Sequence, residues 1–257
     1  MRKRSVVCQV AVLLGCSVTT AAFAQGAPQS SQPAAAKPQA AVAPHDISGK
    51  WMGGNAGGGL HNIGKVAPML PEAKAKFDEN TAELKKQGGV ITKDPMFRCL
   101  PAGVPHIYNL GAYMIEIAQL PDRVVIFYES VHSFRTIWTD GRQTPKEFPT
   151  PLWLGYSVGH WEGDDLVVDT TGFNDKTWLT VAGYPHSDAL HVVERFHRVD
   201  ADHLKLDITI DDPKSYTEPW KMGIDFSAKP NWDFSEAFCT IEDQNNFLQT
   251  IIDPNAK

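Results

Sequence analysis

A histidine and an aspartate are predicted to lie side by side on one face of a β-hairpin, an arrangement suited to proton transfer. Gly163-Asp164 is a turn signal between two β-rich runs, and a two-residue turn there pairs Val158 with Asp169. His160 is then the diagonal neighbour of Asp169, about 7–8 Å away between backbones, a gap that two side chains can bridge. We therefore predict that His160 is a general base and that Asp169 orients its ring. An ordinary His–Asp pair on a solvent-facing sheet is the alternative.

Further polar residues near this hairpin are candidates for substrate contact. The segment 172–188 is long for a hairpin connection and contains several aromatic residues, and such segments often cover a site. It contains His186 and leads into His191 and Glu194, and we predict that these three residues converge with His160 at one mouth of a barrel. There His191 and Glu194 position the substrate or return the proton, and His186 arrives from the covering segment. The candidate catalytic residues are thus His160, Asp169, His191 and Glu194, and the candidate substrate-binding residues are Tyr156, Trp178, His186 and Arg135.

Arg135 has two possible environments. Glu129 and Arg135 flank a tight reversal between two β-rich runs, where a cross-strand ion pair is the default expectation. If strand alternation instead turns Arg135 inward, its buried guanidinium requires an anion, such as a carboxylate-bearing ligand. The cross-strand pair is the favoured arrangement of the two.

Two other chemistries fit the residues less well. The spacing of His186, His191 and Glu194 suits neither a strand nor a helix zinc site, and His191 and Glu194 point to opposite faces of a strand. We therefore predict a site without metal or other cofactor, and a bound metal is the less favoured alternative. Residues 155–159 spell G-x-S-x-G around Ser157, but the stretch continues into a hairpin and lacks the strand–turn–helix context of a hydrolase nucleophile.

The elements that must hold these residues are mostly β-strands. From Tyr113 onward, short β-rich runs alternate with turn signals without intervening helices, which predicts antiparallel sheet. The fold predicted is all-β with minor α content, an antiparallel meandering barrel or strongly curved sheet, with one helix over Pro71–Gln87. The β-rich runs are 113–119, 123–130, 133–139, 152–161, 166–171, 190–199, 204–210, 220–226 and 234–240.

Several motifs resemble those of known protein groups. GHWEGD (159–164), VDTTGFND (168–175), PHS (185–187) and LHVVERF (190–196) resemble a family of exported proteins from environmental bacteria, as do CLPAGVP (99–105) and IDDP (210–213). This resemblance covers most of the folded chain and implies export and the domain boundaries, but no particular reaction. Gly49-x-Trp51 is similar to the first strand of lipocalin-like barrels, in which a tryptophan closes one end.

The amino-terminal residues are predicted to direct export. A basic start, a short apolar run and an A-x-A site before Gln25 predict a signal peptide over residues 1–24, too short for a membrane span. The alternative is a lipoprotein signal, because LLGC resembles a lipobox and would attach a lipid anchor through Cys16. Residues 25–44 are rich in Ala, Pro, Gln and Ser and are predicted to be a disordered linker, leaving one domain over 45–257.

Composition restricts the environment and the partners. Cys99 and Cys239 are the cysteines outside the leader, and in an oxidising compartment they are predicted to form a disulfide. The formal net charge is −6 and is more negative without the basic leader, which disfavours binding to nucleic acid. The remaining histidines, including His106, are predicted to lie on the surface.

These features favour a periplasmic or secreted barrel that binds a small organic molecule and performs cofactor-independent acid/base chemistry, as a lyase, isomerase or hydrolase. A lipocalin-like carrier or sensor of apolar ligands is the main alternative, with a similar cavity and no reaction. An envelope protein that presents its sheet to a partner is the third possibility. The position of the predicted catalytic side chains, inside one cavity or outside it, distinguishes the first two hypotheses.

Overall fold

The computed structural model describes residues 45–54, 60–64, 66–86, 94–108, 113–236 and 238–240. The predicted signal peptide, the predicted linker and the proposed lipid-anchor residue Cys16 lie outside these ranges. Within them, no helix is both long enough and apolar enough to span a membrane.

The described residues form ten strands and one α-helix. In chain order, they are β1 (Gly49–Gly53), β2 (His61–Ile63), α1 (Pro71–Lys86), β3 (Met114–Gln119), β4 (Arg123–Tyr128), β5 (Ser133–Trp138), β6 (Tyr156–Glu162), β7 (Asp165–Thr171), β8 (His191–Arg198), β9 (His203–Asp211) and β10 (Trp220–Ala228). Three short 3-10 turns lie at Pro95–Arg98, His106–Tyr108 and Glu129–Val131.

The strands close into a barrel, which confirms the predicted fold class. Strand β1 pairs with both β3 and β10, so nine strands form a closed ring, and β2 adds to β10 as an extra strand. One junction departs from the antiparallel meander, because β5 and β6 run parallel. Parallel neighbours need a connection that crosses from one end of the sheet to the other, and here residues 139–155 supply it.

The β6–β7 hairpin has the register predicted from the sequence. Val158 lies opposite Asp169, and His160 lies opposite Val167. Ser157 and Gly159 face the interior, whereas Val158 and His160 face outward. Gly159 leaves room for the barrel core, since a Cβ atom there would lie 2.9 Å from Ile137 Cγ2.

The barrel interior is filled by inward-facing side chains of both aliphatic and aromatic types. Trp51 of the G-x-W motif is 1% exposed on β1. Its Nε1–H donates to the Ile47 carbonyl at 3.1 Å, and the Arg198 guanidinium lies 5.1 Å from its ring centroid. The first strand is therefore fixed to the core by hydrogen bonding, packing and a cation–π contact.

The prediction of a final strand over residues 234–240 is wrong. The described residues of this segment lie outside the sheet because β10 already pairs with β9 on one side and with β1 on the other. The segment instead carries Cys239, whose disulfide with Cys99 is present as predicted. It thereby joins the carboxyl-terminal residues to the 3-10 turn Pro95–Arg98, which ends immediately before Cys99.

Candidate functional site

A groove lies on the outer face of β6, β7 and the start of β8. The crossover that the parallel β5–β6 pair requires passes beside this face, and its first residues form one wall of the groove. The cavity volume is about 460 Å³, within the range of small-molecule sites. Its lining residues are Gly141, Arg142, Gln143, Thr144, Val158, Gly159, His160, Asp169, Thr171 and His191. Three of the four predicted catalytic residues therefore share this groove.

His191 and Asp169 form an imidazole–carboxylate pair in the groove. Asp169 lies opposite Val193, so His191, two residues earlier on β8, is its diagonal neighbour on the same face. His191 Nε2 lies 2.9 Å from Asp169 Oδ1, and the side chains are 36% and 45% exposed. The pair combines contact between the two groups with access for a substrate.

The predicted partnership of His160 with Asp169 is wrong. His160 Nε2 instead lies 3.0 Å from Glu162 Oε1, because residues two apart on one strand point to the same face. Arg195 on β8 also donates to Glu162, and its hydrogen bond, followed by that of His160, lowers the pKa of the Glu162 carboxyl. His160 thus lies at the other end of the groove, beside a different carboxylate.

Arg142 forms a positively charged wall of the groove. Its guanidinium is held by both carboxylate oxygens of Asp140 and stacks 3.6 Å from the Trp138 ring centroid. The hydrogen bonds from Arg142 keep the pKa of Asp140 below its usual value. Arg142 Nη1 lies 3.5 Å from the Tyr156 hydroxyl, so Tyr156, a predicted substrate-binding residue, is on the outer face near the groove.

Glu194 lies inside the barrel, which corrects the prediction that it shares a cavity with His160. His191 and Glu194 are three residues apart on β8 and point to opposite faces, as the sequence indicated. Arg135 also turns inward and binds Glu194 with two nitrogens, Nη1 donating to Oε1 at 2.9 Å and Nη2 donating to Oε2. The anion required by the inward arginine is therefore a carboxylate of the protein itself.

Four hydroxyl groups complete this interior cluster. Arg135 Nε donates to Ser157 Oγ at 2.9 Å, and Nη2 donates to Thr170 Oγ1 at 2.7 Å. Tyr108 Oη donates to Glu194 Oε1 at 2.8 Å and accepts from Arg135 Nη1 at 2.8 Å. Tyr128 Oη lies 3.5 Å from Tyr108 Oη. Ser157, the serine of the G-x-S-x-G match, is thus a buried hydrogen-bond acceptor on a strand.

The predicted ion pair between Glu129 and Arg135 is wrong. Glu129 Oε2 accepts from the backbone N–H of Met114 at 2.9 Å, and Oε1 accepts from the N–H of Ser235 at 2.7 Å. Burial raises the pKa of Glu129, but these backbone donors outweigh it and keep the pKa low. The carboxylate therefore connects the start of β3 to the carboxyl-terminal segment.

His186 and Trp178 lie away from the groove. Both are buried in the segment 172–188, so the predicted convergence of His186 with the other histidines is wrong. His186 Nδ1–H donates to the Ser187 carbonyl at 3.0 Å, which leaves Nε2 to accept from Thr177 Oγ1 at 2.7 Å. Burial lowers the pKa of His186. It lines a separate cavity of about 280 Å³ beside the first turns of α1.

His106 and Asp94 form a buried pair that sequence reasoning placed on the surface or left unassigned. Both side chains are fully buried, with His106 Nε2 3.4 Å from Asp94 Oδ2. Among the described residues, neither nitrogen of His106 nor Oδ2 of Asp94 has a hydrogen-bond partner. Burial lowers the pKa of His106 to about 4 and raises that of Asp94 to about 6.

The described residues contain no group of three or more His, Cys, Asp or Glu side chains arranged to hold a metal ion. The prediction of metal-free chemistry is not tested by this finding and stays a prediction. No protein family model matches the chain, and no curated protein matches it. The likeness to a family of exported proteins likewise stays a prediction from the motifs.

Proposed function

We propose that this protein is an enzyme that performs acid/base chemistry without a metal on a small polar organic molecule bound in the outer groove. The observation that carries the proposal is the 2.9 Å contact between His191 Nε2 and Asp169 Oδ1 in a groove of about 460 Å³. A carboxylate fixes the ring orientation and tautomer of a histidine and stabilises its protonated form. His191 replaces His160 as the general base.

Proton transfer is assigned to one nitrogen of His191. In the tautomer whose Nε2–H donates to Asp169, Nδ1 carries a lone pair and accepts a proton from the substrate. The resulting imidazolium is stabilised by the adjacent carboxylate. Partial exposure of both side chains, 36% and 45%, is compatible with direct contact between the substrate and the ring.

His160 is assigned to the opposite end of the groove. From the strand spacing, the backbones of His160 and His191 lie roughly 16 Å apart, and both side chains reach into the same cavity. His160, whose Nε2 contacts Glu162, binds the far end of the substrate or returns the proton. Arg142 supplies N–H donors to a substrate oxygen from the facing wall.

A carrier of apolar ligands has weaker support. Such a carrier needs a cavity lined mainly by hydrocarbon, whereas the barrel interior contains the buried Arg135–Glu194 pair and its hydroxyl partners. An apolar ligand beside that pair would take the place of a hydroxyl partner without replacing its hydrogen bonds, at a cost in free energy. The groove, with its two imidazoles, suits a polar ligand better.

We propose a periplasmic or secreted location for the mature protein. The signal-peptide pattern of residues 1–24 supports export, and the Cys99–Cys239 disulfide is typical of an oxidising compartment. Attachment to a membrane through a lipid on Cys16 is the alternative form of the same location. Mass spectrometry of the protein from its native envelope distinguishes a chain that begins at Gln25 from one that begins at a lipidated Cys16.

The experiment is a screen of the mature protein against small aromatics, esters and glycosides, with and without a chelator. Once turnover is found, we expect His191→Gln to lower kcat/KM by about 100-fold or more, because a general base contributes that much. Asp169→Asn should also lower kcat, because the His191 ring loses the carboxylate that orients it. Loss of turnover with chelator would overturn the metal-free chemistry.

A matched control is available elsewhere on the barrel. His203 also contacts a carboxylate, with Nδ1 2.9 Å from Asp200 Oδ1, but it lies outside the groove. His203→Gln should leave turnover unchanged, and His160→Ala should lower it. Unchanged turnover in His191→Gln, with the chain folded, would overturn the assignment of the base.

A further inference from the structure

The ring of Tyr108 occupies an aromatic box inside the barrel. Its centroid lies 5.8 Å from that of Tyr128, 6.3 Å from that of Phe196 and 6.2 Å from that of Phe226. The two phenylalanine contacts are edge-on, a favourable geometry for aromatic pairs. The box is therefore complementary to a single phenyl ring.

The hydroxyl of Tyr108 makes hydrogen bonds with an acceptor and with a donor at the same time. It donates to Glu194 Oε1 and accepts from Arg135 Nη1, each at 2.8 Å. Burial, followed by the nearby Glu194 charge, raises the pKa of Tyr108 well above its usual value, so the phenol keeps its proton. The cluster thus recognises a neutral phenol through both its oxygen lone pair and its proton.

Tyr108 comes from the buried connection between α1 and β3 and not from a barrel strand. The segment 94–108 contains two 3-10 turns, and its Tyr108 side chain inserts between residues of β4, β8 and β10. The same segment contains the Asp94–His106 pair, and three buried polar atoms of this pair lack hydrogen-bond partners within the part of the chain that the structure describes. Such atoms disfavour the closed position of the segment relative to one in which water reaches them.

We propose that the aromatic box and the Arg135–Glu194 pair form a binding site for a small phenolic molecule, and that segment 94–108 is a displaceable plug which fills the site with its own Tyr108. The incoming phenol takes the position of the Tyr108 side chain and makes the same two hydrogen bonds. The Cys99–Cys239 disulfide keeps the displaced plug attached to the carboxyl-terminal segment. This site lies inside the barrel and is separate from the outer groove.

The first experiment removes the Tyr108 side chain from the aromatic box. Tyr108→Ala removes the phenol group, and p-cresol, which reproduces that side chain, should bind the variant at one site by calorimetry. Toluene should bind at least about tenfold more weakly, because it leaves the buried charged groups without the hydroxyl. The matched control is Phe134→Ala, which removes an exposed aromatic ring and should bind p-cresol only as the wild type does. Equal affinity for toluene and p-cresol, or no binding of p-cresol, would overturn the proposed site.

The second experiment uses the wild-type protein and does not depend on the folding of a variant. The amide of Ile107 donates to the Gly103 carbonyl at 2.9 Å, and that of Tyr108 donates to the Pro105 carbonyl at 3.1 Å. Both bonds lie within segment 94–108 and are buried, so displacement of the plug exposes them to water, and p-cresol should accelerate the hydrogen exchange of both amides while strand amides are unaffected. Unchanged exchange at the solubility limit of p-cresol would overturn the displaceable plug.

Discussion

Replacing Asp94 and replacing His106, each in a separate variant, should change the pH dependence of the free energy of unfolding in opposite directions. The folded protein has a His106 pKa of about 4, below the ordinary 6.5, because burial disfavours the charged ring. Its contribution to stability is complete above pH 6.5 and is lost as the pH falls towards 4. Asp94 has a pKa of about 6, above the ordinary 3.8, so its contribution is complete below pH 3.8 and is lost as the pH rises through 6.

Each shift corresponds to about 3 kcal/mol, since one pKa unit is worth about 1.4 kcal/mol. In the wild type, these two contributions change with pH in opposite directions over nearly the same range, so their pH dependences almost cancel. Asp94→Asn removes one of them, so its free energy of unfolding relative to the wild type should fall by about 3 kcal/mol from pH 7 to pH 4. His106→Asn should show a relative rise of about 3 kcal/mol over the same interval.

The assay is urea denaturation followed by tryptophan fluorescence at several pH values. Subtracting the wild-type curve removes the contributions of all other titrating groups that the variants share. The asparagine amide oxygen at position 94 can still accept from the Met96 N–H, which Asp94 Oδ1 now accepts at 3.0 Å, so the 3-10 turn keeps its cap. Two difference curves with the same sign of slope would refute the assignment of the shifts to burial of this pair.

Three further changes should alter stability without touching the groove, and denaturant titration measures all of them. Glu194→Gln leaves the buried Arg135 charge without its partner and should cost about 3–5 kcal/mol, whereas an apolar replacement of both residues should cost clearly less. Replacing Cys99 and Cys239 by alanine should cost at most about 5 kcal/mol, because the bond closes a loop with a sequence separation of 140. Gly103→Ala should be destabilising by more than about 1 kcal/mol, since its φ is +81° and a Cβ atom would lie 2.4 Å from a threonine hydroxyl. The role of the ion pair would be contradicted if the apolar double variant lost as much stability as Glu194→Gln. The roles of the disulfide and of Gly103 would be contradicted if their variants lost no stability.

The sequence predicts the local hairpin well. The turn at Gly163-Asp164 determines which residues of β6 and β7 face each other, and period-two alternation then separates the outer from the inner face. The same argument correctly places His191 and Glu194 on opposite faces of β8. These features depend on residues close together in the chain, where geometry leaves few choices.

The interior cluster depends on contacts between distant residues and was not predictable in the same way. Arg135 meets Glu194, 59 residues away, because β5 and β8 curve towards each other across the closed barrel. Residue types alone favour the nearer Glu129. The connection 139–155 is too long for a hairpin and contains prolines, and this length was the sequence signal for the parallel β5–β6 pair. The same connection forms one wall of the groove.

Closure of the barrel between β1 and β10 has a consequence for how the chain folds. The pair Trp51 and Ala228 joins strands near the two ends of the domain, and closing so long a loop carries a large entropic cost. Until that pair forms, both strands expose backbone donors and acceptors at free edges, which are templates for pairing with other molecules. Refolding is therefore expected to be slow and to lose yield to aggregation as protein concentration rises, whereas the completed ring offers no such edge at β1 or β10.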